Sequence, residues 1–155
     1  MTPIRQSVSG IVRGLYSFSG FSALLVFFST QLFGQFTFEQ KSNPAGLFTT
    51  SIETKDLNEV VDTSTPALST NGHSFTHWTI NGVRKNAPDG QAKNRVTVTL
   101  NDNTIAIAHY IADNNDSDSD GVPDWFEIRM FGNLSQDGSY DGDNDGVTLA
   151  EERQF

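Results

Sequence analysis

Asp116, Asp118, Asp120, Asp124 and Glu127 put five carboxylates into twelve residues, DSDSDGVPDWFE. Like charges repel at that spacing unless a cation sits among them. Counted from Asp116, the acids fall at positions 1, 3, 5, 9 and 12, and Gly121 falls at 6. Alternate residues of a tight loop converge on one centre, and a glycine at 6 permits the sharp turn. The carbonyl at position 7, here Val122, adds an oxygen, and a glutamate at 12 is long enough to add two more. Calcium takes six to eight oxygens at about 2.3–2.6 Å, so it is the cofactor this spacing predicts. The pattern returns 25 residues on, in DGDNDGVTLAEE: Asp141, Asp143, Asp145, the Val147 carbonyl and Glu152 stand at the same positions. Leu149 replaces the acid at position 9, so the first loop is expected to bind more tightly. A merely solvated acidic tail needs neither the glycine nor the distal glutamate.

A helix fits between the loops. Pro123 suits a first turn, where its missing N–H costs nothing, and Asp124 and Glu127 favour the positive end of the helix. Trp125, Phe126, Ile128, Met130 and Phe131 supply apolar surface, and Gly132 is a stop. Trp125 is the expected anchor.

Upstream, residues 36–111 show no helical period, and turn signals recur at NPAG, two NG pairs, PDG and NDN. Asn-Gly between extended runs signals a hairpin, because both central residues of a type I′ turn need positive φ. HSFTHWTI, 73–80, reads as a strand entering the Asn81-Gly82 turn. RVTVTLNDNTIAIAHYI, 95–111, reads as a hairpin. GLFTTSIE, 46–53, reads as a first strand, and LNEVV, 57–61, as a short helix or a loop. The expected core is Phe48, Ile52, Phe75, Trp78, Ile80, Val96, Val98, Leu100, Ile105 and Ile107. The fold class predicted is a small, mainly β module of antiparallel hairpins, followed by a loop–helix–loop segment that binds calcium.

Residues 1–20 carry Arg5 and Arg13 and no acid, and FSALLVFFSTQLFG, 21–34, is uncharged. Fourteen residues rise about 21 Å as a helix, short of a bilayer's roughly 30 Å core, so the segment reads as a secretory signal. The predicted organisation is a signal over 1–34, a β module over 35–112 and a calcium loop pair over 113–155. Secretion or display at the cell surface follows, with no membrane association after cleavage.

The last 43 residues hold two basic against twelve acidic side chains, a net of −10, while the first 112 carry a net of +1. Such a segment repels phosphate, which disfavours nucleic acid. There is no cysteine, hence no disulfide and no thiolate site. His73 and His77 would share one face of a strand but lie about 13 Å apart, too far to share a metal. No nucleophile–base motif is present, so no catalysis is expected. Trp78 and Tyr110 read as core aromatics, with stacking on a sugar as the alternative.

FTHWTINGVRKN and VTVTLNDNTIAIAHYI resemble the divergent internalin B-repeat type of bacterial surface module, with Phe75, Trp78, Ala108 and Tyr110 matching its pattern. The resemblance implies a β-rich, non-catalytic spacer or adhesive module. DSDSDGVPDWFEIRMFGNLS and DGDNDGVTLAEE resemble the thrombospondin type 3, dockerin and EF-hand group of calcium loops in bacterial secreted proteins. Two departures matter. A strand rather than a helix precedes Asp116, and Pro123 at position 8 lacks the N–H by which paired EF-hand loops bond each other. A structural calcium site is therefore expected rather than a sensor. The chain ends three residues after Glu152 with no exiting helix, which suggests a piece of a longer protein. Expected partners are calcium and a surface protein or polysaccharide. The alternatives are a dockerin-like docking module and a non-catalytic fragment of a secreted polysaccharide-degrading enzyme.

Overall fold

A computed structural model describes residues 34–153. The predicted signal segment lies outside the described residues but for Gly34. Among the described residues no helix is long and apolar enough to cross a membrane.

Among the described residues eight strands come first: β1 (Gln35–Asn43), β2 (Ser51–Asp56), β3 (Val60–Asp62), β4 (Ser69–Thr70), β5 (His73–Ile80), β6 (Val83–Lys85), β7 (Thr97–Thr99) and β8 (Thr104–Ala112). Two short helices follow, α1 (Asp124–Met130) and α2 (Leu149–Glu152). The chain is thus mainly β, with a curled sheet. The main sheet runs β2-β1-β8-β5-β4, with β6 also paired to β5, while β3 and β7 form a separate two-stranded sheet. β1 and β8 pair in parallel; the other ladders are antiparallel.

The Asn-Gly turns behave as their chemistry requires. Asn71 and Gly72 adopt φ of 49° and 71° between β4 and β5, and Asn81 and Gly82 adopt 48° and 78° between β5 and β6. The strand read at 73–80 is β5.

Several expectations fail. Residues 95–111 are not a hairpin: β7 pairs with β3 and β8 with β1 and β5, so the NDN turn is a corner between two sheets. The core parity of β8 is also reversed. Ala106, Ala108 and Tyr110 face the core, Ile105 is exposed and Ile107 half-buried. Small residues are needed there because Trp78 and Phe75, fully buried, fill the space opposite β8. Ile52, also expected inside, is exposed on the edge strand β2. Residues 46–50 are loop and turn rather than strand, and 60–62 form β3.

The core joins Phe38, Val61, Phe75, Trp78, Ile80, Val96, Leu100, Ala106, Ala108 and Tyr110, with Leu47, Phe48 and Val98 against it. Phe48 meets Trp78 edge-on at 5.5 Å, and Tyr110 meets Phe75 edge-on at 5.7 Å. The Trp78 Nε1–H donates to the Asn94 carbonyl at 3.1 Å, so the buried indole keeps a partner. β1 was not foreseen as a core strand. Its buried face holds Phe38 but also Gln40 and Ser42, whose oxygens accept from the Ser64 amide and from the Leu47 and Phe48 amides.

α1 packs on β5 and β8. Arg129 donates to the Phe75 carbonyl at 3.2 Å and to Asn94 Oδ1 at 2.9 Å, and its guanidinium lies 5.7 Å from the Phe75 ring centre. Arg84 donates to the Ile128 carbonyl, and the Ala92 amide to the Arg129 carbonyl. Trp125, expected to be the anchor, is only half-buried; the two arginines hold the helix instead.

Candidate metal centre

The segments 116–127 and 141–152 adopt one conformation twice. The amides of Asp120 and Asp145 donate to Oδ1 of Asp116 and Asp141, each at 3.2 Å. The amides of Gly121 and Gly146 donate to the other oxygens of the same two side chains, at 3.1 and 3.0 Å. Those of Val122 and Val147 donate to Oδ1 of Asp120 and Asp145, both at 2.8 Å. Backbone angles repeat as well. Ser119 and Asn144 have φ of 63° and 62°, and Gly121 and Gly146 have 92° and 91°. Each loop is closed at its base by one backbone bond, Asp124 to Asn115 at 2.9 Å and Leu149 to Tyr140 at 2.7 Å. A helix then starts at the ninth position of each.

This geometry gathers the carboxylates. Asp116, Asp118 and Asp120 each offer an oxygen within 4.8 Å of the others, and Asp141, Asp143 and Asp145 do the same. Either group can hold a metal ion. Backbone amides bond the carboxylates of Asp116 and Asp120 and of Asp141, Asp143 and Asp145, which offsets part of the mutual repulsion.

The remaining expected ligands are placed differently in the two loops. Glu127 is fully buried, and neither of its side-chain oxygens has a hydrogen-bond partner. Burial first, then the charges of Asp118, Asp120 and Asp124, push its carboxyl up to about 7, while the Gln136 amide pulls the other way without forming a bond of good geometry. Glu152 is exposed. Asp124 is buried with both oxygens taken, Oδ1 by the Ser117 amide at 2.8 Å and Oδ2 by the Ser117 hydroxyl at 2.6 Å. It braces the loop rather than joining the three aspartates. The Val122 side chain is buried, that of Val147 half-buried, and both amides point into their loops.

Three features were not read from the sequence. Thr148 and Glu151 form a capping box, both the amide and the hydroxyl of Thr148 donating to Glu151 Oε2 at 2.9 Å, so a single-turn helix does follow the second loop's turn. The signal was there, a threonine with a glutamate three residues on. Gly138, between the loops, touches loop 1 through its amide, which donates to Asp120 Oδ2. Ser117 as the partner of Asp124 had no signal beyond its position.

The histidines separate. A bulge between Phe75 and His77 breaks the alternation of β5, so His77 lies opposite His109 and not on the face of His73 and Phe75. Trp78 and Tyr110 are buried, which leaves no ring there for a sugar to stack on.

No family model matches this chain, and neither curated proteins nor solved structures yield a match.

Proposed function

We propose that residues 113–153 bind two calcium ions, and that the metal fixes the loops and α1 against the β module of a secreted or surface-displayed, non-catalytic structural protein. The observation that carries the metal reading is Glu127, a buried glutamate with both oxygens unpartnered, beside three converging aspartates. A buried, unpaired carboxylate is costly, and a cation bound by both of its oxygens removes the cost. Calcium is favoured among cations because every donor is oxygen and the acids are numerous; magnesium prefers fewer protein ligands and more water. Asp116, Asp118, Asp120, the Val122 carbonyl and Glu127 would hold one ion, and Asp141, Asp143, Asp145, the Val147 carbonyl and Glu152 the other. The first site is the stronger, since Glu127 is already turned inward. The resemblance to thrombospondin type 3, dockerin and EF-hand loops supports the same reading, and the resemblance to internalin B-repeats supports a spacer or adhesive role.

At extracellular affinities of about 10⁻⁴–10⁻³ M, millimolar calcium stabilises each site by about 0.4–1.4 kcal/mol. Calorimetric titration tests the proposal. Two binding events are expected, and Glu127→Gln should remove one. An absence of heat up to about 10 mM calcium, well above the affinities expected of such modules, would sink it.

A docking role is the second reading. A surface groove lined by Ser74, Asp113, Pro123, Trp125, Phe126 and Arg153 favours it. Capture of a secreted scaffold protein that is lost in chelator would promote that reading over the structural one.

A further inference from the structure

We propose that the two loops bind metal cooperatively, with Gly138 as the residue that couples them. The inference rests on the calcium reading of both loops and goes beyond it in assigning a regulation that neither loop has alone.

Gly138 is bonded on both sides. Its amide donates to Asp120 Oδ2, the fifth-position carboxylate of loop 1. Its carbonyl accepts the Ala150 amide at 3.1 Å, in the turn of α2 that leads to Glu152. One residue thus touches a ligand of the first site and the helix that carries the last ligand of the second.

The fit is close. Gly138 is buried, and a Cβ built on it would lie 2.5 Å from the Asp120 carbonyl oxygen and 3.3 Å from Val122 Cγ2. The first contact is with backbone, which cannot swing aside, so only glycine lets the connector approach loop 1 this closely. Direct bonding between the loops through the eighth position is closed at loop 1, because Pro123 has no N–H to give.

The coupling has a definite sign. Metal in the second loop draws Glu152 inward and fixes α2. A fixed α2 holds the Gly138 carbonyl, and the Gly138 amide then holds the Asp120 carboxylate in its binding rotamer. The first site pays less ordering entropy when the second is full, and by linkage the reverse holds.

The test uses the full chain. Calcium binding at the first site is followed by Trp125 fluorescence and by the Glu127 amide resonance, with total stoichiometry from calorimetry. Measurements at about 0.5 M KCl screen direct repulsion between the sites. Asp145→Asn, which disables the second loop, should weaken the first site at least about fivefold. Gly138→Ala should weaken the first site comparably, and adding Asp145→Asn to it should change little more. If Gly138→Ala fails to fold, Asp145→Asn alone decides. A first-site affinity in Asp145→Asn within about twofold of the parent, below the range of allosteric couplings, overturns the coupling and leaves the calcium reading standing. No binding by the parent chain overturns both.

Discussion

His77 and His109 face each other across β5 and β8 with their rings 4.5 Å apart and 4° from parallel. The Thr76 hydroxyl lies 3.0 Å from His77 Nδ1, and the Thr79 hydroxyl 3.0 Å from His109 Nε2. Burial first, then the charges of Arg84 and His109, push the His77 pKa down to about 3; burial and Arg84 lower that of His109. The unfolded chain takes these protons near pH 6.5, whereas the folded pair resists them. Between about pH 6.5 and 3 the unfolded state therefore holds more protons, so stability is full above that window and falls as the pH drops through it. Denaturation midpoints in chelator at about pH 7.5 and about pH 5 should fall further for the parent than for the double variant His77→Phe, His109→Phe. Equal slopes would assign the acid loss to other groups.

Asp124 and Asp118 should separate loop architecture from metal binding. With both oxygens bonded to Ser117, Asp124 supports the loop whether or not metal is present. Asp124→Ala is expected to cost about 1–2 kcal/mol in chelator. Asp118 is exposed, so Asp118→Asn should leave stability in chelator nearly unchanged while weakening metal binding at the first site. Chemical denaturation paired with calorimetry distinguishes the two; a reversal of these roles would return Asp124 to the ligand set.

Glu127→Gln should stabilise the metal-free fold and reduce the further gain from calcium. Removing an unpartnered buried charge stabilises the metal-free fold by about 1–3 kcal/mol at pH 7 or above. The amide cannot replace a carboxylate that gives two oxygens, so the first loop's share of the gain from calcium is lost. Thermal melts in chelator and in calcium should therefore lie closer together for the variant, which keeps only the second loop, than for the parent. A variant less stable than the parent in chelator would show that Glu127 has a protein partner.

Arg129 and Arg95 predict a contrast between an interior clamp and a surface pair. Arg129→Ala removes two hydrogen bonds and the contact with the Phe75 ring, at a cost of about 1–3 kcal/mol. Lysine should not rescue it, because one ammonium cannot span the Phe75 carbonyl and Asn94 as a planar guanidinium does. Arg95, paired with Asp62 at 3.5 Å on the surface, should tolerate alanine within about 0.5 kcal/mol. Urea midpoints of the three variants make the comparison.

Local chemistry was legible wherever one residue decides one conformation. The Asn-Gly turns and the strand 73–80 follow from such residues and are in place, and the aspartates at alternate positions of each acidic run converge. Long-range partners were less so. Alternation along 104–112 marks two faces, yet the choice between the isoleucine face and the alanine–tyrosine face is made by the bulk of Trp78 and Phe75 on the neighbouring strand. β1 escaped because its inward Gln40 and Ser42 look like surface residues until the loop amides they accept from are known. Gly138 escaped for a related reason: a glycine needed for a close approach has no marker of its own, only the backbone of Asp120 beside it.

The parallel ladder between β1 and β8 sets how the sheet bears a pull. Because the two strands run the same way, Gln35 and Ala112 stand at opposite ends of the sheet. Tension applied between them acts along the strands, and every rung from Phe38–Thr104 to Asn43–His109 bears the load together. Tension between Gln35 and Asp56, paired neighbours in the antiparallel β1–β2 ladder, would instead open that ladder one rung at a time. Single-molecule stretching from residues 35 and 112 should therefore need a higher rupture force than stretching from 35 and 56, the behaviour of a link that holds under pull along its length and unzips across it.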